Sequence, residues 1–242
     1  MNFRSKVNIA IILAGGVGQR IGADIPKQFL DVHGTPIIVY TISAFQNHPE
    51  IDKIAVVCVK GWENEVEGYR EKYGLTKLCR IIRGGDTSME SIAKGVFGVK
   101  DLCEGENDVL IIHDSVRPLI DAETISDCIA VCERHGNGCA SLPLQETIVR
   151  TKDRISGNVN IDRSEIMRVQ TPQAYRYDLI SKLYQRAMEE GITESVYTNT
   201  LLLELGGTVY FSKGSAINFK ITTIDDLELL RAFHEYLPKP RM

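Results

Sequence analysis

The residues with the clearest chemical potential are Leu13-Ala14-Gly15-Gly16-Val17-Gly18-Gln19-Arg20, followed by Pro26-Lys27. Glycines placed directly after an apolar run let backbone N–H groups approach an anion closely. Arg20 and Lys27 add two positive charges along the same segment, which can therefore wrap a polyphosphate with both charges converging on it. Two familiar phosphate loops are excluded by spacing. A dinucleotide loop needs G-x-G-x-x-G, but Ile21 stands where the third glycine belongs. A P-loop needs G-x-x-x-x-G-K-[ST], which is absent. A loop Arg or Lys is ordinarily a solvated charge, so the argument rests on its company. Gly84-Gly85-Asp86 follows the third apolar run of the chain, and His113-Asp114-Ser115-Val116-Arg117-Pro118 follows the fourth.

Those loops need elements to carry them. Val7–Leu13, Lys53–Cys58, Leu78–Ile82 and Val109–His113 are short, aliphatic and strand-like. Between them Pro36–Gln46, Glu63–Tyr73 and Ser91–Val99 show the apolar spacing of helices. Thr35 is the expected N-cap of the first, and Gly74 stops the second. A further helix over Ala122–His135 ends at Gly136. Helical spacing returns at Tyr177–Glu190 and Tyr197–Leu205, and Thr223 with Asp226 opens the last helix as a capping box. Such alternation predicts a doubly wound α/β fold with a mostly parallel sheet and helices on both faces. The polar loops then leave the carboxyl ends of successive strands, where open α/β sheets bind ligands. Between residues 138 and 170 the pattern changes to a strand, a hairpin and a polar excursion, which reads as an arm projecting from a single domain of residues 1–242.

Composition narrows the function. The chain has 242 residues, 43% hydrophobic and 25% charged, an ordinary globular balance. A formal net charge of −4, without a basic stripe, argues against a nucleic-acid partner. No stretch approaches the ~20 apolar residues of a membrane span. The six cysteines are scattered without a C-x-x-C pair, as expected for reduced thiols in a cytoplasm. Cys128 and Cys132 share a helical face and are expected to be buried. His113 ends an apolar strand and reads as a core histidine, and Trp62 as a packing residue.

In order along the chain come Leu-Ala-Gly-Gly-x-Gly-x-Arg, Pro26-Lys27-Gln28-Phe29, Gly84-Gly85-Asp86, His113 to Pro118, Gln170-Thr171-Pro172-Gln173 and Lys220-Ile221-Thr222. This series resembles the cytidylyltransferases that make CDP-ribitol or CDP-methylerythritol, from about Asn8 to Phe233. The resemblance implies a Rossmann-like nucleotidyltransferase fold, CTP and a small sugar- or polyol-phosphate as substrates, Mg²⁺ as cofactor, and a homodimer. By position, Arg20 and Lys27 match the pair that stabilises the transition state on the triphosphate. Leu13, Ala14, Gly15, Gly16, Gly85, Asp86, Ser91 and Ser115 fall in the CTP-binding segments. Arg163 and Lys220 match the residues that position the acceptor phosphate, and Asp114 an acidic residue near the ribose and the magnesium. The stretch from Gly138 to Gln170 corresponds to the family's dimerising arm, which would bring Arg163 to the neighbouring subunit's site.

Two departures bear on the substrate. Ser88 stands where many relatives carry an Arg, and Tyr197-Thr198-Asn199-Thr200 replaces a Thr-Asp pair beside the acceptor's hydroxyls. Leu13 to Gly16, Gly61-Trp62, Ser115 and Asn218 to Thr223 are more similar to the ribitol-phosphate enzymes. Ile161 to Ser164 and Val169 to Gln173 are more similar to the methylerythritol-phosphate enzymes. The balance favours ribitol 5-phosphate or a similar pentitol phosphate, with 2-C-methyl-D-erythritol 4-phosphate as the alternative.

Overall fold

A computed structural model describes residues 6–16 and 25–237. The strands are β1 (Asn8–Ala14), β2 (Asp31–Val32), β3 (Thr35–Pro36), β4 (Lys53–Cys58), β5 (Leu78–Arg83), β6 (Val109–Asp114), β7 (Asn137–Pro143), β8 (Ile148–Arg150), β9 (Val159–Ile161), β10 (Met167–Arg176) and β11 (Phe211–Lys213). The helices are α1 (Ile37–Gln46), α2 (Glu63–Lys72), α3 (Ser88–Gly98), α4 (Ala122–His135), α5 (Tyr177–Glu189), α6 (Thr198–Glu204) and α7 (Ile224–Ala232). Seven strands form one sheet in the order β11-β7-β10-β6-β1-β4-β5. Within it β10 runs antiparallel to both neighbours and every other pairing is parallel. The expected doubly wound, mostly parallel architecture is therefore present.

Both faces of the sheet are covered because β1, β4 and β6 are apolar in near-continuous runs, not at alternate positions. Successive side chains of a strand point to opposite faces. Ala10, Ile12 and Ala14 of β1 accordingly pack with Ile38, Ile42 and Phe45 of α1 and with Ile125 and Ile129 of α4. Ile9 and Ile11 pack on the other side with Ile92 and Val96 of α3 and with Ile180 and Leu183 of α5. Gly95 lets α3 lie close to the sheet, since a Cβ there would sit 2.9 Å from Val57 and 3.0 Å from Ile11. A third cluster joins Val32, Ile37, Val116, Ile221 and Leu227, so that α7 holds the segment before it against the loop after β6.

Local signals performed unevenly. Gly74 and Gly136 take left-handed φ of 57° and 89° just past α2 and α4, as their positions predict. The capping box of Thr223 and Asp226 is formed. Thr35 is not the N-cap of α1: it pairs with Val32 in a two-stranded ribbon, and Pro36, extended and without a side-chain acceptor, precedes the helix. Helix α3 begins at Ser88, three residues before the expected Ser91, because the Thr87 hydroxyl accepts the Glu90 N–H and caps it. The 138–170 region contains β7, then the separate hairpin β8–β9, whose exposed surface includes Val149, Ile155 and Val159.

Candidate functional site

The chain winds from β1 through β4 to β5 on one side of the sheet, then crosses to β6 on the other. At such a reversal the loops beyond the strand ends diverge and leave a crevice. Here a cleft of about 890 Å³ opens at the carboxyl ends of β1, β5 and β6.

One wall is made of backbone and small side chains. Leu13, Gly15 and Gly16 continue β1 into the cleft, opposite Gly84, Gly85 and Asp86. The Ser91 hydroxyl lies between the two segments: it accepts the Gly85 N–H at 3.0 Å, and a Cβ at Gly15 or Gly84 would come within 3.3 or 3.1 Å of it. The N-terminal turn of α3 faces the same space through Thr87 and Ser88, presenting the positive end of the helix dipole. Gln28 holds the glycine segment from behind, donating its amide to the carbonyls of Ala14 at 2.8 Å and Gly16 at 2.9 Å. Phe29 anchors that turn by stacking on Trp62, with centroids 4.3 Å apart. Trp62 is thus the packing residue expected of it.

The other wall is built from charges. Asp114, 6% exposed at the end of β6, pairs with Arg117 at 3.0 Å and with Lys220 at 3.2 Å. Lys220 also donates to the Tyr197 hydroxyl at 2.8 Å. Burial disfavours the Asp114 carboxylate, but the charges of Lys220 and Arg117 outweigh it and hold the carboxyl below its ordinary range. Burial likewise opposes the Lys220 ammonium, and Asp114 with the Tyr197 hydroxyl reverses that, raising its pKa. Lys27, 9% exposed, donates to the Ile221 carbonyl at 2.8 Å and so meets Lys220 in one cleft.

A hydrogen-bond frame from β10 supports this wall. The register of β10 shifts between Val169 and Gln173. Thr171, inside that irregularity, accepts the Asp114 N–H with its hydroxyl at 3.1 Å and the Asn218 amide with its carbonyl at 2.8 Å. Gln170 exchanges hydrogen bonds with Ser215, and Arg117 donates to the Asn218 carbonyl at 2.8 Å. The Gln170-Thr171-Pro172-Gln173 stretch thereby positions residues 215–222. Gln173 also bonds Asn199 at 3.0 Å, which fixes the Asn199 oxygen within the protein.

Among the residues expected at the site, Leu13, Gly15, Gly16, Lys27, Gly85, Asp86, Ser91, Asp114, Ser115 and Lys220 all line the cleft. Ala14 points its methyl into the core. Arg20 lies outside the described residues. Arg163 sits near the hairpin and donates to the Gln145 carbonyl, and it is not among the residues lining the cleft of its own chain. His113 is fully buried, bonded to the Arg117 carbonyl at 3.2 Å, and desolvation pushes its pKa down to about 4. It is a neutral core histidine, as its place in the strand predicts. Sequence reasoning missed Arg117, Tyr197 and Thr171 as parts of the site. It also missed Lys60, Arg83 and Lys94, which line the cleft, Arg83 paired with Glu63 and Lys94 with Glu90. Arg117, three residues after Asp114, and Thr171, in the Gln170-Thr171-Pro172-Gln173 stretch, stood in motifs that could have pointed to them.

A family model described as IspD: 2-C-methyl-D-erythritol 4-phosphate cytidylyltransferase matches residues 8–235. The ribitol-5-phosphate cytidylyltransferase of Lacticaseibacillus paracasei is 44% identical over 93% of this chain and 96% of that protein. The 2-C-methyl-D-erythritol 4-phosphate cytidylyltransferase of Clostridium novyi is 37% identical over 92% of this chain and 94% of that one. The crystal structure of 4-diphosphocytidyl-2C-methyl-D-erythritol synthase from Anaerococcus prevotii superposes with a TM-score of 0.80 at 24% identity, covering 95% of this chain and 99% of that chain.

Proposed function

The chain belongs to the IspD family of cytidylyltransferases, and on that footing we propose that it transfers CMP from CTP to D-ribitol 5-phosphate, giving CDP-ribitol and pyrophosphate. The observation that carries this reading is the meeting of Lys27 and Lys220 in one cleft with the glycine segments at residues 15–16 and 84–85. The 44% identity to a ribitol-5-phosphate enzyme supports the choice of acceptor.

The arrangement suits the chemistry. The nucleophile is an oxygen of the acceptor's phosphate, already anionic at neutral pH, so no general base is required. It attacks the α-phosphorus of CTP. The bond to the bridging oxygen breaks, and pyrophosphate leaves with the charge. The obstacle is bringing two anions into line, which calls for positioned cations. Lys27 and Arg20 serve the triphosphate, while Lys220 holds the acceptor phosphate. The neutral, buried His113 takes no part. The nucleotide lies along the glycine segments at residues 15–16 and 84–85, which leave room for it in the cleft, with Ser115 just past the end of β6.

Magnesium fits as a partner that arrives with the nucleotide. The described residues contain no cluster of three or more metal-ligating side chains. Mg²⁺ is commonly held by one or two carboxylates together with substrate phosphates, however, and Asp114 offers one carboxylate at the cleft. There the ion would neutralise phosphate charge.

The enzyme acts as a homodimer on this proposal, with the β8–β9 hairpin reaching across and Arg163 completing the partner's acceptor site. The exposed apolar residues of the hairpin support that role. No helix among the described residues is long and apolar enough to cross a membrane, in keeping with work on cytoplasmic substrates.

Pyrophosphate release from CTP and Mg²⁺ tests the reading, with ribitol 5-phosphate, 2-C-methyl-D-erythritol 4-phosphate and other pentitol phosphates compared. Ribitol 5-phosphate should give the highest kcat/KM. Preference for methylerythritol phosphate, the acceptor of the 37% identical relative, would move the assignment to the alternative. No release with any acceptor would end it.

A further inference from the structure

We propose that the Tyr197 hydroxyl donates a hydrogen bond to the acceptor's phosphate, forming with Lys220 a two-point anion clamp. The inference rests on the cytidylyltransferase reading above. Its basis is the direction of a hydrogen bond. An ammonium has donors and no acceptor, so in the 2.8 Å contact the Tyr197 oxygen must accept from Lys220. The phenolic proton is then left to donate elsewhere. No group among the described residues accepts it, and Tyr197 borders the cleft. Its natural partner is an oxygen of whatever binds beside Lys220.

Charge selects an anion as that partner. Arg117 and Lys220 bring two positive charges to the single negative charge of Asp114, so this wall carries a surplus of one. Asp114 approaches Lys220 with both oxygens at 3.2–3.3 Å, leaving the shorter contact to the phenol. A phosphate oxygen set beside both donors would receive one charge-assisted and one neutral hydrogen bond.

The phenol is held firmly enough to discriminate. Tyr197 precedes α6, and its carbonyl accepts from Leu201 at 3.1 Å and from Ser195 at 3.3 Å. The next two residues are buried, with Thr198 bonded to Tyr184 and Asn199 to Gln173. None of these contacts uses the phenolic oxygen, so Tyr197→Phe removes the hydroxyl and leaves the frame intact.

Steady-state kinetics of Tyr197→Phe, confirmed folded by an unchanged Tm, test the clamp. We expect KM for the acceptor to rise about tenfold, the scale of a lost hydrogen bond to a charged group, while KM for CTP stays within about twofold. Inorganic phosphate, competing with the acceptor, should weaken by a similar factor. An unchanged acceptor KM, in a preparation whose wild type turns over, overturns the clamp and leaves the activity standing. A raised acceptor KM with unchanged inhibition by phosphate also overturns it, by assigning the hydroxyl to the polyol chain. If the wild type itself releases no pyrophosphate with any polyol phosphate, the underlying activity fails instead.

Discussion

On the proposed function the two walls of the cleft serve the same end, binding anions, by different physics. The wall from Gly15 to Ser91 relies on backbone groups and a hydroxyl, and within its 85–91 segment the contacts run between near neighbours. The wall from Asp114 to Lys220 relies on side-chain charges that the fold alone assembles, its two named partners being 106 residues apart. The first kind of wall tolerates change because each hydrogen bond is small and local. The second concentrates its energy in few groups, since removing one member of a buried ion network leaves the others uncompensated.

Asp114→Ala should break the contrast most forcefully. It strands Arg117 and Lys220 without their carboxylate, and we expect a loss of about 3 kcal/mol in urea unfolding. The wild type should show the same dependence through pH. Because the Asp114 carboxyl is held below its ordinary range, its contribution is complete above about pH 4. It is lost as pH falls through the depressed value. The variant should lack that acid-labile component, and an equal dependence in both proteins would count against the network.

Next in size is Lys27→Ala, which bears on turnover more than on folding. With one electrostatic stabiliser removed, kcat should fall by about 10²-fold in the pyrophosphate-release assay. A folded variant with near-normal kcat would remove Lys27 from its proposed role. The smallest effect belongs to the first wall. At Gly85 a Cβ would lie 2.3–2.5 Å from the Glu90 carboxyl group. That side chain can swing away, giving up the Asp86 N–H it accepts at 2.8 Å. Gly85→Ala should therefore cost only about 1 kcal/mol of stability by the same unfolding measurement. A loss as large as that of Asp114→Ala would erase the distinction between the walls.

The same distinction separates what could be read along the chain from what could not. Strand β1 was legible because a strand buried on both faces reads as a near-continuous apolar run. The ends of α2 and α4 were legible because a helix that stops through a left-handed residue favours glycine there. The glycine segments were legible because close approach to an anion leaves no room for side chains. All of these are local constraints, each expressed within a few residues. The start of α3 was misplaced even so, because its cap lies at Thr87, outside the apolar periodicity.

Tyr197 and Thr171 lay in stretches that the resemblance marked, but nothing local showed what either side chain does. Tyr197 precedes an ordinary helix, and it becomes a partner of Lys220 only when α6 and the 215–222 segment are brought together over β6. Thr171 reaches Asp114 because the register of β10 slips beside it. The linear order of residues thus carried the fold class, the family and the glycine loops that line the cleft. Which charges face one another, and which hydroxyl is left with a proton to give, depended on packing between distant segments, because Coulomb and hydrogen-bond energies follow distance in space and not separation along the chain.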